Sequence, residues 1–66
     1  MRERHFRVQR DSYGRYLTEE LEEPPGDEDP FVILEFSGYR VGVFAEQDYP
    51  REHVESVVRD TVLNGR

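Results

Sequence analysis

FVILEFSGYRVGVFAE, residues 31–46, is the most strand-like stretch of this 66-residue chain. β-Branched and aromatic residues crowd both sides of a central Ser37-Gly38 step. Such residues suit a pleated, half-buried surface, and a glycine between two of these runs supplies the positive φ of a two-residue hairpin loop. With the loop at Ser37-Gly38, Phe36 faces Tyr39, Leu34 faces Val41 and Val32 faces Val43. On the opposite side Glu35 meets Arg40 and Phe31 meets Phe44. Aromatic, aliphatic and opposite-charge neighbours of this kind each stabilise a strand pair by about 0.2–1 kcal/mol. A slip of one residue breaks all of them together.

Downstream, residues 49–63 read as a helix. Val54, Val57, Val58, Thr61 and Val62 fall on one stripe at helical spacing. Asp48 is a candidate N-cap, and Pro50 sits in the first turn, where its missing N–H costs nothing. Arg51 to Glu55 and Glu55 to Arg59 are i,i+4 pairs of opposite charge, and Asn64-Gly65 is a stop signal. Four valines lower the intrinsic helicity, so this helix depends on tertiary packing.

Upstream, HFRVQR (residues 5–10) alternates, with Phe6 and Val8 on one side and His5, Arg7 and Gln9 on the other. Asp11-Ser12-Tyr13-Gly14 is turn chemistry. Residues 15–23 fit a strand or a helix; the turn and the alternating strand before it favour a strand from Arg15 to about Glu20, with Val8 opposite Leu17. Pro24-Pro25-Gly26 ends regular structure. The expected fold is α+β: a small antiparallel sheet of about four strands in β-β-β-β-α order, with the C-terminal helix on one face. Residues 1–66 make one domain, with a mobile acidic loop at about 22–30.

The hairpin is apolar on both faces. Val32, Leu34, Phe36, Tyr39, Val41 and Val43 form one side; Phe31, Ile33 and Phe44 form the other. One helix covers one face, and a solvated second face should alternate more cleanly. Either the chain covers Phe31, Ile33 and Phe44 itself, or they dock on a partner protein or a second copy. A chain this short buries only about 60% of its unfolded surface. It has no cysteine for disulfides or thiolate metal sites. A partner or a homodimer is the remaining source of stability.

Charge is segregated. The net charge is −6, made of +3 over residues 1–15, −8 over residues 16–35 and −1 over the rest. LTEELEEPPGDEDP, residues 17–30, holds Glu19, Glu20, Glu22, Glu23, Asp27, Glu28 and Asp29 with no basic residue. It reads as a solvated connection, or as an acidic surface that imitates a nucleic-acid backbone or docks on a basic protein. Arg2, Arg4, Arg7, Arg10 and Arg15 interleave with His5, Phe6, Tyr13 and Tyr16. That mixture offers an alternative nucleic-acid face, by stacking and phosphate contact, or simply a set of partners for the chain's own acids.

Catalysis needs an acid–base group or nucleophile with an orienting partner in a cleft. His5 and His53 are the two histidines, and neither sits in such a pattern. Asp27, Glu28 and Asp29 lack the spacing and closing Glu of a calcium loop, and no His-rich tract suggests zinc. Gly38 and Gly42 lie in a turn and a strand rather than in a phosphate loop; Gly42 leaves room for Phe31 or Phe44. The sequence therefore points to no enzyme activity, no cofactor and no metal. No apolar run reaches membrane-spanning length and no hydrophobic segment follows the charged N-terminus, so a cytoplasmic protein is expected. All nine basic residues are arginine, which suggests a GC-rich or salt-adapted host, or a virus of one.

In size, charge and lack of catalytic chemistry the chain resembles the short acidic proteins by which phages and mobile elements bind and block host complexes, anti-CRISPR proteins among them. The resemblance rests on no motif and assigns no residue a role. It implies a non-enzymatic inhibitor, adaptor or regulator that acts by occupying a surface.

Overall fold

The computed structural model of the chain describes residues 1–64. The second hairpin folds in the register expected for four of its side-chain pairs; Phe31 lies outside the paired residues and packs on the helix-side core, so the expected Phe31–Phe44 pair is not part of the ladder. Strands β3 (Val32–Phe36) and β4 (Tyr39–Phe44) place Phe36 opposite Tyr39, Glu35 opposite Arg40, Leu34 opposite Val41 and Val32 opposite Val43. Ser37 and Gly38 both take positive φ, 51° and 80°, the backbone of the tight turn whose twist matches its flanking strands.

The first hairpin joins β1 (Arg2–Arg10) to β2 (Tyr16–Leu21). Asp11 organises its loop. The Asp11 carboxylate accepts from the backbone N–H of Tyr13 and of Arg15, both at 2.9 Å, and Gly14 takes φ 83°. This loop closes so that Arg10 pairs with Tyr16 and Val8 with Thr18. The expected Val8–Leu17 pairing is therefore off by one. Tyr16 and Thr18 turn toward the helix, and Leu17 stays 54% exposed on the other face. The reason is local: the Asp11 bonds make the connection one residue longer than an alternation count suggests.

The two hairpins meet through β1 and β4, which run parallel, and the sheet order is β2-β1-β4-β3. The sheet is thus mixed rather than antiparallel throughout. Parallel neighbours need a long crossover, and residues 11–38, which include β2 and β3, provide it. The register sets Phe6 beside Val43 and Arg4 beside Val41.

Helix α1 (Arg51–Leu63) lies across one face. Val54, Val58 and Val62 pack on Phe6, Val8, Val32, Leu34, Val41 and Val43, and no residue of this core is more than 7% exposed. Val57 and Thr61 are half-buried at the margin, where the Thr61 and Thr18 hydroxyls lie 3.1 Å apart. Asp48 does not cap the helix. Pro50 occupies the N-cap position with no side-chain bond, because a turn with Tyr49 N–H donating to Glu46 O comes first. Asn64 ends the helix, its side-chain amide donating to Asp60 O at 2.9 Å; Gly65 lies outside the described residues. No helix of the described chain is long and apolar enough to cross a membrane.

Val58 is fully buried at the centre of the helix–sheet contact, whereas Leu63 is 62% exposed. Val58→Ala is expected to cost about 2–3 kcal/mol, from two lost methyl groups and the cavity they leave. Leu63→Ala should stay within about 0.5 kcal/mol. Urea unfolding of the two variants checks the contrast.

Candidate interaction surface

The sheet face opposite the helix is built from alternate residues of the same strands. Across its middle the pairing sets Leu21, His5, Gly42 and Ile33 side by side, and the next row sets Glu19, Arg7 and Phe44 together. Phe44 belongs to this outer face, yet it is only 2% exposed. The β2–β3 connection folds back over it. The Glu28 carboxylate accepts from Arg7 at 2.6 Å, and Pro24 and Pro30 line the same hollow of about 260 Å3 as Phe44 and Ile33. Phe31 is half-buried against the helix-side core, its N–H donating to Val43 O at 2.6 Å. Of the three apolar residues expected to form a docking face, the fold leaves only Ile33 open, 47% exposed on the bare edge strand β3.

Gly42 makes room for a histidine as well as for a phenylalanine. A side chain there would begin 3.2 Å from His5 Nδ1 and 3.7 Å from the Phe44 ring. His5 Nδ1 is buried without a hydrogen-bond partner. That nitrogen lies over Gly42, and His5 is one of the residues that line the hollow. His53 is exposed on the helix, edge-on to Tyr16 at 6.0 Å. Among the described residues no three His, Cys, Asp or Glu side chains converge in a way that would hold a metal ion.

The arginines of the first hairpin do not form one surface. Alternation sends Arg4 and Arg10 to the helix side of β1 and Arg7 to the outer side, while Arg15 sits at the hairpin tip and Arg2 is exposed at the start of the strand. Their charges are largely met within the chain. Arg4 grips Glu20 with two bonds of 2.8 and 2.7 Å, Arg7 holds Glu28, and Arg15 meets Asp11 at 3.2 Å. Arg4 also stacks over Phe6 and Tyr39. Arg7 is more firmly protonated than an ordinary arginine, chiefly through its bond to Glu28, with the charges of Glu28, Glu19 and Asp27 adding to it.

The acidic stretch divides in the same way. Glu20 and Glu28 are spent on arginines. Glu19, Glu22, Glu23, Asp27 and Asp29 are exposed, with no cation within 4.0 Å among the described residues. Which acids remain unpaired was not readable from sequence, because it depends on which strand face each arginine takes. Comparison with protein-family models, with curated proteins and with solved structures finds no match to this chain.

Two of the paired carboxylates titrate below their ordinary range. The Arg4 bonds hold Glu20 below 4.5, and the backbone N–H of Arg15, with those of Tyr13 and Gly14 and the Arg15 side chain, holds Asp11 below 3.8. The folded chain therefore binds fewer protons than the unfolded one at acid pH. The stabilisation is complete above these ordinary values and fades as pH falls through the depressed folded ones. Stability is expected to drop on acidification below about pH 4.5. Glu20→Gln should lower stability at pH 7 and shallow the acid limb, as measured by urea midpoints across pH. An acid limb unchanged by Glu20→Gln would show that the Arg4–Glu20 pair contributes nothing to it.

Proposed function

We propose that the chain is a non-enzymatic interaction protein, a small acidic inhibitor, adaptor or regulator that occupies a basic patch on a partner protein. One observation carries this reading: Glu19, Glu22, Glu23, Asp27 and Asp29 run from β2 into the β2–β3 connection, exposed and without an ion pair among the described residues. Six of the eight described arginines have a carboxylate within 4.0 Å, so the chain's own cations are mostly engaged. Like charges crowded on one surface create a field that reaches roughly 8–10 Å at physiological salt. Such a field steers encounter with a basic partner and rejects acidic ones, nucleic acid included. The Arg7–Glu28 pair anchors the acidic connection to the sheet, which lowers the ordering cost of presenting it.

The expected partner is found by affinity capture from the native host and mass spectrometry, then measured directly. Replacing Glu22, Glu23, Asp27 and Asp29 together by Gln or Asn should weaken its binding about tenfold or more at low salt and flatten the salt dependence. Binding of equal strength by the neutralised variant would sink the acidic-surface reading. Nucleic-acid binding in a mobility-shift assay, lost on replacing Arg7 and Arg10, would move the function to the alternative face.

The homodimer expected from the hairpin narrows to the β3 edge. In a two-residue hairpin the closing pair is hydrogen-bonded, so Val32, Leu34 and Phe36 bond inward and Ile33 and Glu35 turn their backbone groups outward. A second copy added along this edge would also cover Ile33. Sedimentation velocity is expected to show a dimer that Ile33→Lys converts to a folded monomer. A monomer from the unaltered chain at the same concentration overturns it.

A further inference from the structure

Arg10 differs from the other arginines of the described chain. Like Arg2, it has no carboxylate within 4.0 Å among the described residues, although the chain carries 15 acidic residues. Arg2 is simply exposed at the start of β1, whereas Arg10 is held in place. Its guanidinium carbon lies 5.4 Å from the Tyr49 ring centre and 5.9 Å from that of Tyr16. The two rings stand edge to face at 5.7 Å and 78°. The Arg10 backbone N–H donates to Tyr49 Oη at 3.2 Å, so the residue that supports the side chain is also tied to its backbone.

A guanidinium over an aromatic face leaves its N–H groups in the plane of the fork, directed away from the ring. Those donors suit the two oxygens of a carboxylate. Because the tyrosines already restrict the side chain, less rotamer freedom is lost on binding. Arg10 and Tyr49 are also among the residues that line a hollow of about 430 Å3, with Arg7, Gln9, Glu28 and Glu46. Arg7 is occupied there by Glu28.

We propose that Arg10, on its Tyr16–Tyr49 platform, is a receptor for a carboxylate side chain of a partner protein. With Glu28 paired to Arg7, Glu46 is the carboxylate left on the hollow's lining, and it disfavours a phosphate dianion more than a singly charged carboxylate. The hollow reaches the acidic stretch only at Glu28, which Arg7 holds; Glu19, Glu22, Glu23, Asp27 and Asp29 do not line it. A partner that meets both presents a basic patch and an acidic side chain in a set arrangement, which fixes its orientation as well as its sign. Charged pairs at interfaces contribute in this way to register and partner choice.

The test is nuclear magnetic resonance of the whole chain, following the side-chain Nε–Hε of every arginine. The probe is the blocked peptide acetyl-Gly-Glu-Gly-amide, with sodium chloride at equal ionic strength as reference and inorganic phosphate as a second arm. The Arg10 resonance is expected to shift saturably with an affinity about tenfold above that of Arg2, the difference one charge-assisted bond supports. The Tyr16 and Tyr49 ring signals should shift with the same peptide dependence, and Arg10→Lys, which keeps the charge and loses the fork, should abolish that dependence. Tyr49→Leu should weaken it, with folding checked by the dispersion of the Val54 and Val58 methyl signals. The variant neutralised at Glu22, Glu23, Asp27 and Asp29 should retain it, so failure of the acidic-surface reading leaves this result intact. An Arg10 response no greater than that of Arg2, or one stronger with phosphate than with the peptide, overturns the proposal.

Discussion

The parallel pairing of β1 with β4 is the contact on which the rest of the molecule depends. Each hairpin by itself is a two-stranded ribbon, which is at best marginally stable in water. Side by side they form a four-stranded sheet whose central strands contribute Phe6, Val8, Val41 and Val43, none more than 1% exposed. Only this central pair creates a face wide enough for Val54, Val58 and Val62 to bury. The helix, rich in β-branched valine, has little reason to form without that face. Folding should therefore be cooperative, since neither hairpin nor helix reaches a low-energy state before the long-range contact closes.

The same pairing settles where charge goes. Because β1 lies inside the sheet, its alternation sends arginines to both faces, and each of Arg4 and Arg7 finds an acid delivered by the β2 side of the chain. Exposed pairs of this kind are individually worth little, so their importance is geometric. The Arg4–Glu20 bonds tie the first two strands together, and the Arg7–Glu28 bond draws the connection over Phe44. Pro24 and Pro30 then lie beside an apolar ring that is only 2% exposed. The acids left over are those the fold could not use internally.

Two surfaces of opposite character result. One is the run of exposed carboxylates beside β2. The other is a single guanidinium set on two tyrosines at the far end of β1. Ile33 adds a small apolar point on the β3 edge. A domain of this size has little interior to spare for a cleft.

What the sequence determined by itself was local. The β3–β4 register, the Ser37-Gly38 turn, the strand order along the chain and the valine stripe of α1 all follow from side-chain periodicity and backbone sterics within a few residues. Features set by contacts between distant segments were not legible. Nothing in the alternation of HFRVQR says which strand β1 will join or in which direction, because any pairing buries Phe6 and Val8 equally well. The Val8–Thr18 register, which puts Leu17 outside, hangs on carboxylate bonds inside a short loop. The connection beside Phe44 is tied to the sheet by an ion pair across 21 residues of chain. The tertiary structure decided these because burial and charge pairing are satisfied by whole faces, and a one-dimensional pattern leaves the choice of partner face open.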